Sequence, residues 1–128
     1  MTEIRKYTIA VVDDDVRVLE SMQDLLESAG YSASLFSSPE AFFEGDALSD
    51  IECLIADIGL PVIDGFELCR RVRSQRVDLP VIFITGRPEQ TTQSRAEAEG
   101  HQGLFRKPFD AAALLAAVDQ AVANRTGG

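Results

Sequence analysis

The chain has 128 residues, room for one ordinary domain but not two. Its 45% apolar content can furnish a core, yet no run of about 18 apolar residues occurs, which excludes a membrane-spanning helix. A net charge of −9 argues against this segment gripping nucleic acid, which needs a basic footprint. The opening MTEIRKYTIA has neither the apolar stretch nor the cleavage site of a signal peptide, so a cytoplasmic protein is expected. Cys53 and Cys69 sit in apolar contexts with no CxxC and no Cys/His cluster, and read as small buried hydrophobes rather than metal or redox ligands.

Taken in order, Tyr7–Val12 is a short apolar run that meets three aspartates, the pattern of a buried strand. Val18, Met22, Leu25, Leu26 and Ala29 then form one helical stripe, stopped by Gly30. Ser32–Phe36 is a weaker strand. Ser38 as cap, Pro39 at the first helical position and Gly45 at the end mark a short helix. Glu52–Asp57 is a third strand, followed by a loop punctuated by Pro61 and Asp64-Gly65. Phe66, Cys69 and Val72 line one face of the next helix, with Arg70, Arg71 and Arg73 off it.

Leu79–Thr85 is the strongest strand. Residues 88–100 form a polar, weakly amphipathic helix, and Gly103–Arg106 a short fifth strand. The last helix starts from Asp110 as cap and buries Ala111, Leu114, Leu115, Val118 and Val122. His101, the one histidine, falls in a loop. Five βα units with continuous apolar strands predict an α/β fold, a doubly wound five-stranded parallel sheet covered on both faces.

Ligands of such sheets bind beyond the carboxyl ends of the strands. The first strand delivers Asp13, Asp14 and Asp15 there, the second only Ser37 and Ser38. The third delivers Asp57, the fourth Thr85 and the fifth Lys107. Each has a plain structural reading: Asp15 as a helix cap, Thr85-Gly86 as a turn, Lys107 as a surface cation. Their convergence favours a site. Clustered carboxylates need a counter-charge, which a hard divalent cation such as Mg²⁺ supplies through oxygen ligands. One carboxylate could then attack phosphorus while lysine and threonine meet the phosphoryl oxygens.

The stretches VVDDD, IADIGLPVIDG, VIFITG and FRKPFD together resemble the receiver domain of bacterial two-component response regulators, the CheY-like fold. The resemblance covers about residues 6–123 of a single domain spanning 1–128, with 124–128 a tail or the start of a linker. It implies the strand order 2-1-3-4-5. It implies that Asp57 is the phosphoacceptor, that Asp14, Asp57 and the Gly59 backbone carbonyl ligate Mg²⁺, and that Asp13 acts through water. Thr85, Gly86 and Lys107 would contact the phosphoryl group, and Pro108 would follow a cis bond. A compact ammonium can approach both Asp57 and a phosphoryl oxygen, which a planar guanidinium does less well.

Two departures stand out. The family often carries an aromatic switch residue three positions before the lysine; here that position is Leu104, and the ring is one step along at Phe105. A one-residue step on a strand changes the face, so Phe105 is expected in the core and Leu104 at the switch position. With Gly59 two after Asp57 and Arg87 two after Thr85, an atypical phosphoryl lifetime is expected.

The favoured function is a phosphorylation-controlled switch, a signalling domain and not an enzyme. A sensor histidine kinase would donate to Asp57. The surface of the fourth helix, fifth strand and last helix would then change its affinity for an output domain or effector, with transcription control as the output and a homodimer possible on phosphorylation. The domain itself would touch neither nucleic acid nor membrane. Three rivals stand beside it. One is a pseudo-receiver that binds partners without phosphorylation. Another is a haloacid-dehalogenase-like phosphatase, whose D-x-D-x-[TV] motif fits Asp13 and Asp15 but fails at Arg17. The third is a flavodoxin-like carrier, which lacks its phosphate loop.

Overall fold

The computed structural model describes residues 7–86, 98 and 103–126. In it five strands, β1 (Thr8–Val12), β2 (Ser32–Phe36), β3 (Cys53–Asp57), β4 (Val81–Thr85) and β5 (Gly103–Arg106), form one parallel sheet in the order β2-β1-β3-β4-β5. The fold class and the strand order are those expected. Three helices, α1 (Val16–Ser28), α2 (Pro39–Glu44) and α3 (Gly65–Gln75), a 3-10 turn (Ala47–Asp50) and a C-terminal helix (Ala111–Thr126) cover it. Apart from Ala98, which is helical and exposed, the predicted helix over 88–100 lies outside the described residues, as do the His101 loop and Arg87.

Strand residues alternate between two cores, as the pleat requires. Ala10, Val12, Leu54, Ala56 and Phe83 pack with Phe42 of α2 and Phe66 of α3, and the Phe66 and Phe83 rings stand 5.1 Å apart. Ile9, Val11, Ile55 and Ile84 pack with Met22 and Leu26 of α1 and with Leu114 and Val118 of the C-terminal helix. Cys69 belongs to the first core and Cys53 to the second, both buried and neither in a disulfide.

Several boundaries shift, each for a local reason. β4 begins at Val81, not Leu79: Pro80 has no amide to give, and the Leu79 amide turns back to the Arg76 carbonyl at 3.2 Å. β3 begins at Cys53; the Glu52 carboxylate instead accepts from the Thr8 amide at 3.2 Å. β1 begins at Thr8 rather than Tyr7. In α1 the buried stripe is Leu19, Met22 and Leu26, flanked by half-buried Val18 and Leu25. Ala29 is an exposed C-cap rather than part of the stripe. Gly30 follows at φ 93°, where a side chain would be strained. In the C-terminal helix Ala111 is exposed, not buried, because it lies in the first turn; Ala121 takes that place in the core.

Candidate functional site

β1 and β3 are neighbours, so their carboxyl ends bring Asp13, Asp14 and Asp57 to one place. One carboxylate oxygen from each lies within 4.8 Å of the others. Asp13 is fully buried. Its amide donates to the Phe36 carbonyl at 3.1 Å, and its Oδ1 accepts from the Asp15 amide at 2.9 Å. Asp14 is exposed. Asp57 is 5% exposed, and its Oδ1 accepts from the Gly59 amide at 3.1 Å.

β5 brings the cation. The Lys107 amide donates to the Thr85 carbonyl at 2.8 Å, and the Lys107–Pro108 peptide is cis, as expected. The ammonium stands 2.8 Å from Asp13 Oδ2 and 3.4 Å from Asp57 Oδ2. Thr85, at the end of β4, is buried, whereas Gly86 is exposed.

The charges are interdependent. Burial pushes the Asp13 carboxyl above its ordinary value, and the Asp57 charge adds to this. The Lys107 contact and the Asp15 amide work against the rise without cancelling it. Burial pulls Lys107 down, but its contacts with Asp13 and Asp57 outweigh that and leave it raised.

The donor set fits a hard cation. It is all oxygen, and Asp13 Oδ2 is buried without a hydrogen bond among the described residues. The nearby ammonium serves it as an ion-pair partner rather than an aligned donor. A buried, underused carboxylate oxygen beside two further carboxylates could hold a metal ion.

Other expectations resolve differently. Asp15 caps α1, its Oδ1 accepting from the Arg17 amide at 2.9 Å, so it is a structural residue. Arg17 projects into solvent, with a side chain 90% exposed. That arrangement leaves the phosphatase motif without its second acid. Leu104 packs against the core of Phe66 and Phe83, and Phe105 against the opposite core. The one-residue displacement does put the ring on the other face.

Two residues at this site, Asp64 and Gly65, are marked in the sequence only as loop punctuation, and the structure gives each a further task. Asp64 caps α3 through the Glu67 amide at 2.9 Å. The D-x-x-E spacing of Asp64 and Glu67 was the available signal. Gly65 lies so close to the end of β3 that a Cβ there would stand 2.6 Å from the Asp57 carbonyl oxygen. A glycine opening a helix just after a strand-end carboxylate is the pattern that could have revealed it.

Comparison with known proteins agrees with this geometry. Residues 9–119 match the response regulator receiver domain. The chain belongs to that family. It is 31% identical over 117 residues to the transcriptional regulatory protein FixJ of Bradyrhizobium diazoefficiens, covering 91% of this receiver and 57% of FixJ. It is 33% identical over 118 residues to the response regulator protein TodT of Pseudomonas putida, covering 92% and 52%. The receiver thus spans about half the length of the curated relatives it matches. Among solved structures, the signal receiver domain of an HD domain-containing protein from Pseudomonas fluorescens superposes with a TM-score of 0.88 at 26% identity, covering 97% of this chain and all of that one. Among the described residues no helix is long and apolar enough to cross a membrane.

Proposed function

We propose that this receiver accepts a phosphoryl group on Asp57 from the phosphohistidine of a sensor kinase, in a Mg²⁺-dependent reaction. The observation that carries the reading is the Lys107 ammonium set against two buried carboxylates, with a third carboxylate beside them. Asp14, Asp57 and the Gly59 carbonyl would hold the cation, with Asp13 acting through water, and the cation would neutralise the phosphoryl oxygens.

The residues then divide the work. An Asp57 carboxylate oxygen forms the new O–P bond as the N–P bond of the donor breaks. Near-complete burial of Asp57 keeps the carboxylate poorly hydrated and so reactive. Lys107 follows the charge from carboxylate to phosphoryl oxygen. Thr85 and the Gly86 amide, at the end of the strand that pairs with β3, would turn towards the new group, and Leu104 on the adjacent strand would repack as Thr85 moves. The surface containing β5 and the C-terminal helix would change its affinity for an output domain or effector, by homodimerisation among other routes. The relatives named as transcriptional regulators support a cytoplasmic regulator of transcription, with DNA contact made by another part of the protein.

Intact-mass measurement after incubation with acetyl phosphate tests this. One added phosphoryl group is expected with Mg²⁺, and none with EDTA or in Asp57→Asn. Equal labelling of Asp57→Asn would refute the assignment.

A further inference from the structure

The loop from β3 to α3 holds a backbone shape that its sequence opposes. The Ile63 amide donates to the Pro61 carbonyl at 2.8 Å, across Val62 at φ 67°. This is a γ-turn of the positive-φ kind, the rare and strained form. A β-branched residue suits it poorly, because Cβ and its two branches crowd the backbone. Packing gives nothing back, since Val62 is 96% exposed.

The strain is held by the loop's anchors. The Gly65 amide donates to the Ile58 carbonyl at 3.1 Å and closes the loop into a ring. Leu60 is buried in the core. The Gly59 amide grips Asp57 Oδ1 at 3.1 Å. The sharp bend at Val62 lets residues 59–64 return to Ile58 while Leu60 stays buried. The strained turn is therefore mechanically tied to the carboxylate that precedes it.

We propose that Val62 is a positioning residue that sets a two-state balance in this loop. In the γ-turn form Gly59 is held against Asp57; in a relaxed form residue 62 returns to negative φ and Gly59 is released. Strain raises only the first form, so valine keeps it less populated than a residue at ease with positive φ. A cation that needs the γ-turn form then binds with its affinity reduced by the unoccupied fraction. The inference rests on the reading of Asp57 and the Gly59 carbonyl as cation ligands.

Asn and Gly accept positive φ readily, whereas Ile keeps the β-branch. The test is amide exchange by NMR in EDTA on the wild type, Val62→Asn, Val62→Gly and Val62→Ile, followed by Mg²⁺ titration of each. The Gly59, Ile63 and Gly65 amides should exchange roughly tenfold more slowly in the Asn and Gly variants, as relief of left-handed strain implies. Apparent Mg²⁺ affinity should rise in those two variants by up to the same factor, and Ile should match wild type. Equal exchange in all four proteins overturns the proposal, as does slowing in the Ile variant. Slowed exchange with unchanged Mg²⁺ affinity overturns it too, because the loop would then be uncoupled from the site. If exchange slows but no variant binds Mg²⁺, the loop balance stands and the metal reading falls.

Discussion

Asp13 is fully buried, and its carboxyl is raised above the ordinary 3.8, first by burial and also by the Asp57 charge. The folded chain therefore binds that proton more tightly than the unfolded chain does. The stability this contributes is complete below 3.8 and is lost as pH rises through the folded value. Urea midpoints in EDTA, measured from pH 4 upward, should fall more steeply for wild type than for Asp13→Asn, and the difference isolates this one group. Lys107, also raised, keeps its contribution up to its ordinary 10.5 and loses it above the folded value, so it does not confound the acid range. Gly59 offers a second residue-scale prediction. A Cβ there would meet Asp57 Oδ1 at 3.8 Å, an ordinary contact, so a side chain is accommodated. Gly59→Asn should slow loss of the phosphoryl group by screening it from water; an unchanged autodephosphorylation rate contradicts that. Asp13, Asp57, Thr85 and Lys107 were legible in the sequence because each stands where an apolar strand ends. The positive φ of Val62 was not legible, since a strained backbone angle leaves no trace in composition.

The junction of β3 and α3 decides how the site is framed. Gly65 opens α3 against the last peptide of β3, and a Cβ there would also stand 2.9 Å from Ile58 Cα. Backbone cannot yield as a side chain can. Gly65→Ala should therefore lose about 2 kcal/mol despite its better helix propensity, read as a lower urea midpoint. At the other end of α3, the Arg76 guanidinium donates to the Leu48 and Ile51 carbonyls at 2.5 and 2.6 Å, tying the 3-10 turn to the helix. Arg76→Ala should cost about 1–3 kcal/mol while leaving phosphoryl labelling intact, since the clamp lies at the opposite end of the sheet. The elements themselves were largely readable from period, caps and glycines: β2, α2 and β5 fall where expected. The turn over Ala47–Asp50 was not readable, because a long-range arginine clamp secures it rather than a local motif.

At the scale of the molecule, the parallel sheet brings the ends of β1, β3, β4 and β5 to one acidic edge, where the half-buried Lys107 ammonium stands among the carboxylates. Continuous apolar strands made the doubly wound class legible, because a strand buried on both faces has no polar side. The order of strands was less accessible: it came with the family resemblance, since nothing in hydropathy says which strand lies beside which. The two cores also separate the possible signalling paths. Leu104 touches the core of Phe66 and Phe83, while Phe105 touches the core of α1 and the C-terminal helix. Movement at Thr85 would therefore reach the first core through an aliphatic residue instead of a ring. On the proposed function, both paths start from a phosphoryl group on Asp57. Trapping the acyl phosphate by borohydride reduction after Mg²⁺-dependent labelling, then sequencing peptides by mass spectrometry, locates it directly. Homoserine at position 57 is the predicted result; homoserine at position 13 or 14, or none anywhere, would contradict the account.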